Sequence, residues 1–320
     1  MTGLFFWKRS LFLLLIFFLG LSAADYDDVY AQISDICNPS KADWKKLQQY
    51  INKGERSYLK WLDTFDSGLQ NDGFRYDLRA RNFNFIRDKK RVTDFCLHQE
   101  SIGVGEQDRE NCIICYASFN SNFAKKIKRL SKRLKESGYK GHFLYRIGGF
   151  PDIKGGSLKL IHVPYSFKVC LFREAQKLGF KKVFWMDTSF KPLKNFDALF
   201  EMIKKNGYFI SSLNGYSLRM RASKKVKDAF SLSDEEMLSI REIASGLIGV
   251  DFSQQTGRDI IDKWYKAAED LDPYLSPRPE QSAIAAIIYK MGLQPTCSFL
   301  EITAVDKKGI DPKHYFYLDY

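Results

Sequence analysis

From Asn111 onward the chain alternates short apolar runs with stretches of helical period, and no other feature limits its fold so closely. Cys112-Ile113-Ile114-Cys115-Tyr116 lacks the polar alternation of a half-exposed strand, so it suits a strand buried on both faces. Phe123, Ile127, Leu130 and Leu134 then recur at helical spacing, with Ser121 or Asn122 as cap and Gly138 as stop. The pairing repeats as a strand over 142–146, a helix over 167–178 and a strand over 182–186. A helix capped by Asn195 carries Phe196, Leu199 and Ile203, and a strand covers 208–213. Ser233 and Glu236 have the spacing of a capping box. The remainder reads as a strand over 247–252, a helix lined by Ile260, Ile261, Trp264 and Ala268, a helix over 280–291 and a last strand over 297–302. This order predicts an α/β fold: a mostly parallel sheet flanked by helices. Ligands of such folds bind beyond the carboxyl ends of the strands.

The first 110 residues read differently. Lys8 and Arg9 precede an apolar run over 11–21 and then Ser22-Ala23-Ala24, the order of a signal peptide. Residues 4–7 lengthen the apolar stretch, so residues 1–24 are expected to be a signal peptide or an uncleaved single-pass signal anchor in a membrane. Either way the body is expected in the secretory pathway or exported. Within 25–110, Trp44, Leu47, Ile51, Tyr58, Leu62 and Phe65 fall near helical spacing, which predicts a helical stem or accessory region. The domain proper is expected to span 111–320.

The net charge of +12 is concentrated at Lys125, Lys126, Lys128, Arg129, Lys132, Arg133 and Lys135, and again at Arg219, Arg221, Lys224, Lys225 and Lys227. These are either solvated faces or contacts for an anionic partner such as a nucleotide diphosphate, a phosphorylated glycan or lipid, or a membrane surface. No nucleic-acid-binding module accompanies the charge, and a nucleic-acid partner is not expected. Cys112 and Cys115 have redox spacing, but residues three apart in a strand point to opposite faces, so neither redox chemistry nor a mutual disulfide is expected.

Asp187 follows the apolar strand Lys182-Val183-Phe184-Trp185-Met186 directly, where it either faces a ligand or caps a turn. The run 184–189, followed by Pro192-Leu193 and Phe196-Asp197-Ala198-Leu199-Phe200, resembles the strand and Asp-x-Asp turn of nucleotide-sugar-dependent glycosyltransferases of the GT-A fold, glycogenin- and galactosyltransferase-like in type. Ser245-Gly246-Leu247-Ile248-Gly249 resembles the strand that walls the sugar site in that family, and Arg278-Pro279-Glu280-Gln281 its Asp/Glu-Gln helix start. Ala117 and Ser118, after the first strand, resemble the family's nucleotide-contacting segment.

The resemblance implies transfer of a sugar from a nucleotide sugar to a hydroxyl of a glycan, lipid or protein acceptor. It implies donor contacts from Ala117, Ser118, Asp187, Ser189, Ser245 and Gly246. Glu280 and Gln281 would stand at the reacting centre, although a glutamate at a helix start also serves the helix dipole. Lys168 and Arg173, on the helix before the Asp187 strand, either approach the diphosphate or only solvate the helix face. The family's Mn2+ or Mg2+ is held by two acidic positions, and the second is Ser189 here. Asp187 then works with another ligand, such as His314, or basic side chains replace the metal, or activity is lost and an exported binding protein keeps the scaffold.

Overall fold

The computed structural model describes residues 97–117, 121–147, 160, 163, 165–270, 272–274, 276 and 278–319. The signal segment, most of the expected stem, and Ser118 lie outside these residues.

The central sheet has seven strands: β1 (Leu97–Ile102), β2 (Asn111–Ala117), β3 (Gly141–Ile147), β4 (Lys182–Met186), β6 (Tyr208–Ser217), β7 (Arg241–Asp251) and β8 (Cys297–Ser298). Their order is β1-β3-β2-β4-β7-β6-β8. Strands β2, β3, β4, β6 and β8 share one direction, and β1 and β7 run against them. A second sheet joins β5 (Phe190–Pro192), β10 (Phe316–Leu318) and β9 (Thr303–Ala304).

The helices are α1 (Ser121–Glu136), α2 (Phe167–Lys177), α3 (Asp197–Asn206), α4 (Leu218–Arg221), α5 (Lys224–Ala229), α6 (Asp234–Ser239), α7 (Gln255–Asp270), α8 (Pro279–Lys290) and α9 (Phe299–Ile302). From β2 the chain crosses to β3 through α1 and returns past β2 to β4 through α2. Crossovers of one hand in opposite directions lie on opposite faces. Helices α2, α7 and α8 accordingly pack together over one face, and α1 and α3 cover the other. Phe172 and Trp264 meet between α2 and α7, and Phe184, Phe196, Phe200 and Phe316 cluster on the α3 side.

Several expectations need correction. The sheet does not start at Asn111: β1, inside the expected accessory region, pairs with β3 along its whole length. The strand expected over 297–302 is the short β8 followed by a helical turn, where Glu301 accepts the Ser298 N–H at 3.0 Å. Phe123, expected inward, is exposed, whereas Ile127, Leu130 and Leu134 are buried as their periodicity predicts. The turn asparagine works one position early: Asn195 Oδ1 accepts the Asp197 N–H at 2.7 Å, while Phe196 holds the cap position. The Ser233–Glu236 capping box is present.

The feature that most affects the ligand edge is a register break. Between the pairs Ile210↔Ile248 and Ser212↔Ile243, β7 advances five residues while β6 advances two. Such a bulge interrupts the ladder and re-aims side chains. It contains Ser245 and Gly246.

Candidate functional site

A buried ammonium organises the ligand edge of the sheet. Lys168 lies in the first turn of α2 and is 2% exposed. Its Nζ donates to the Ser245 carbonyl at 3.0 Å, to Ser245 Oγ at 3.2 Å and to Glu280 Oε1 at 3.1 Å, and it stands 3.5 Å from Asp187 Oδ1. Ser245 Oγ donates to the same Glu280 oxygen at 2.8 Å. The Tyr165 and Trp185 rings lie 5.6 and 5.3 Å from the ammonium. An ionised group this deep is tolerated only with opposite charges and satisfied hydrogen bonds. Burial pulls the Lys168 pKa down, but Asp187 and Glu280 outweigh it and hold the pKa above its ordinary value.

Each partner reaches this point for a local reason. Asp187 leaves β4 two residues after Trp185, so the two side chains share a strand face. Trp185 Nε1 donates to Asp187 Oδ1 at 2.7 Å. The Asp187 N–H binds the Gly246 carbonyl at 3.0 Å, which ties the turn to the β7 bulge. A Cβ on Gly246 would lie 2.6 Å from Phe190 Cε2 and 3.1 Å from Asp187 Oδ2, so only glycine fits there. Pro279 opens α8 and places Glu280 in its first turn, where the helix dipole favours a carboxylate. Asp187 retains 36% of its side-chain exposure, whereas Glu280 is 4% exposed. The solvent-facing member is therefore Asp187, with Glu280 behind it.

Lys168, Asp187, Ser245, Gly246 and Glu280 thus come together. Gln281 is directed along β7: its Nε2 donates to the Ile243 carbonyl at 2.7 Å. Ala117 is buried at the end of β2. The Ser189 carbonyl accepts the Asp319 N–H at 2.8 Å, so the C-terminal segment closes over the Asp187 turn. Arg173 is not in the cluster. Five residues beyond Lys168, it is turned about 140° around the helix, and its guanidinium stacks 3.7 Å from the Tyr265 ring centre.

His314 has both ring nitrogens engaged: Nδ1 with the Asp311 N–H at 3.0 Å and Nε2 with the Leu300 carbonyl at 3.1 Å. Both of its ring nitrogens are thus engaged with the backbone and not with Asp187. The remaining donors suit a divalent cation poorly. Asp187 is one carboxylate, its Oδ1 already takes an indole N–H, and a second cation beside it would meet the Lys168 ammonium.

Sequence reasoning passed over Trp185 and Tyr165. The signal for Trp185 was its i, i+2 relation to Asp187. Tyr165 carried none: it adopts a left-handed φ of 60° just ahead of α2, a conformation decided by tertiary packing. A cleft of about 710 Å³ opens farther along α8, lined among others by Ser212, Arg241, Ile243, Tyr289 and Thr296. None of Lys168, Asp187, Ser245, Gly246 and Glu280 lines it.

The second basic segment is largely neutralised. Arg219 and Lys227 both pair with Asp234 at 2.9 Å, Lys224 with Asp228 at 2.7 Å and Lys225 with Asp272 at 3.4 Å. Among the described residues no helix is long and apolar enough to cross a membrane.

No protein-family model matches the chain. No curated protein matches it either. Among solved structures it is similar to a glycosyltransferase involved in the glycosylation of the major capsid of PBCV-1, with 11% identity and a TM-score of 0.42 over 66% of this chain and 93% of that one.

Proposed function

We propose that the chain transfers a glycosyl group from a nucleotide sugar to an acceptor hydroxyl, on a GT-A-type site that uses Lys168 where relatives of that type use a metal. The observation that carries this reading is the Lys168 ammonium held between Asp187, Ser245 and Glu280 at the carboxyl edge of the sheet. It joins three of the four segments on which the resemblance was drawn.

In this reading Asp187, the exposed carboxylate, accepts hydroxyl hydrogens of the donor. The bond between the anomeric carbon and the diphosphate breaks, a bond to the acceptor oxygen forms, and the acceptor proton passes to a carboxylate. Lys168 is a positioning residue: its fixed positive charge holds the Asp187 and Glu280 carboxylates in place and puts positive potential near the leaving diphosphate. Gln281 anchors the start of α8 to β7.

A second reading is a non-catalytic binding protein on the same scaffold. It is favoured by the same ammonium, which fills the space between Asp187 and Glu280. Nucleoside diphosphate titration and nucleotide-sugar hydrolysis, each with and without manganese, separate the two. Transfer predicts binding and hydrolysis without added manganese, both lost in Asp187→Asn. Absence of nucleotide binding in the wild-type protein across uridine, guanosine and adenosine diphosphates refutes the transfer reading.

A further inference from the structure

Helix α1 carries a charge pattern that the transfer reading does not use. Ile127, Leu130 and Leu134 are buried, and Ser131 completes the packed side. Opposite them stand Lys125, Lys128, Arg129, Lys132 and Lys135, all exposed. At 3.6 residues per turn these five fall within about a third of the helix circumference and recur on successive turns about 5.4 Å apart. Glu136 is the helix's one acidic residue. Lys132 pairs with it at 3.6 Å, and Lys135 reaches Glu100 at 3.0 Å. Among the described residues no carboxylate lies within ion-pair distance of Lys125, Lys126, Lys128 or Arg129. The contrast with the paired charges around Asp234 separates a solvated network from an open cationic row.

We propose that the outer face of α1 is a docking surface for a sulfated polysaccharide chain. A linear row of fixed cations on a helix anchored by its buried side matches an extended polyanion of regular charge, and binding would release the polymer's counterions. Basic stretches of this length serve heparin-like polymers or nucleic acid. The cationic face presents no aromatic ring on which bases could stack. It also presents no apolar side chain to insert into a bilayer. Phe123, the exposed hydrophobic of this helix, lies nine residues from Lys132, about half a turn of the circumference away. The surface stands independently of the proposed transfer reaction.

The test uses the full chain on immobilised heparin and, in parallel, on a sulfopropyl exchanger. Two fourfold variants remove the same charge: K125E/K128E/R129E/K132E on α1, and K204E/K205E/K307E/K308E elsewhere. The wild-type protein is expected to elute from heparin at higher salt than from the exchanger. The α1 variant should lose that excess, with heparin affinity near 0.15 M salt falling about a hundredfold. The control variant should keep most of it. Thermal melting of each variant establishes that the fold is retained. Equal losses in the two variants, or wild-type elution no later from heparin than from the exchanger, overturn the proposal. So does stronger binding to phosphatidylserine vesicles or to duplex DNA than to heparin at the same salt.

Discussion

At the scale of single residues, Lys168 and Glu242 show two outcomes of burying a charge. Lys168 is surrounded by acceptors, and removing it strands two carboxylates. Lys168→Met is expected to cost about 3–5 kcal/mol, read by urea unfolding, because a buried charge left without its partner bears its full desolvation penalty. Glu242, in β7, is 1% exposed and neither carboxylate oxygen has a hydrogen-bond partner. Arg221 stands 3.7 Å away, beyond hydrogen-bond reach. Burial pushes the Glu242 carboxyl from 4.5 up to about 7, only partly offset by Arg221 and Arg278. The raised value fixes the sign. The folded state prefers the protonated form, so this residue costs nothing below about pH 4.5, and its penalty grows until the pH passes about 7. Glu242→Gln should therefore leave stability near pH 4 little changed and raise it at pH 8 by on the order of 3 kcal/mol. A variant as stable as wild type at both values would contradict this. At Gly246 the geometry is stricter: Gly246→Ala should displace Phe190 or Asp187 and lower nucleotide binding at least tenfold by calorimetry.

Among the elements, the helices that could be read from sequence are those with both a stripe and a boundary signal. Helix α6 is short and gains much of its definition from its start. Ser233 Oγ accepts the Glu236 N–H at 3.1 Å, and the Glu236 carboxylate accepts the Ser233 N–H at 2.6 Å. Ser233→Ala should cost about 1 kcal/mol in denaturant unfolding. The strands that escaped notice are short or at an edge. β5, β9 and β10 have three residues or fewer and carry no periodicity to detect. β1 contains Gln99, Glu100 and Ser101 because it lies at the sheet's edge, where polar side chains remain in water.

For the whole molecule, β1 moves the boundary of the folded unit. Its ladder with β3 covers the edge of the sheet, and Glu110 pairs with Lys181 and Lys182 at the start of β4. Limited proteolysis should leave a resistant fragment that begins before Leu97 and not at Asn111. A stable core with its first residue after Ile102, found by mass spectrometry, would show that β1 is dispensable. The net charge is likewise uneven in consequence: one basic segment is folded into ion pairs while α1 faces outward.

The alternation of the main strands and helices from β2 to α8, the buried nature of β2 and β4, and the position of Asp187 at a strand end were legible in sequence. Each rests on local periodicity or on a residue's place at a strand end. What only the tertiary structure decided is the neighbourhood of Lys168. Ser245 and Glu280 lie 77 and 112 residues away along the chain. They meet it because β7 inserts against its neighbours and bulges where it passes the end of β4. Neither the reversed strand nor the bulge leaves a pattern in β7, whose buried run would read the same in either direction. The partners of His314 were hidden for the same reason: they are set by the backbone folded around it, and here both ring nitrogens are held there.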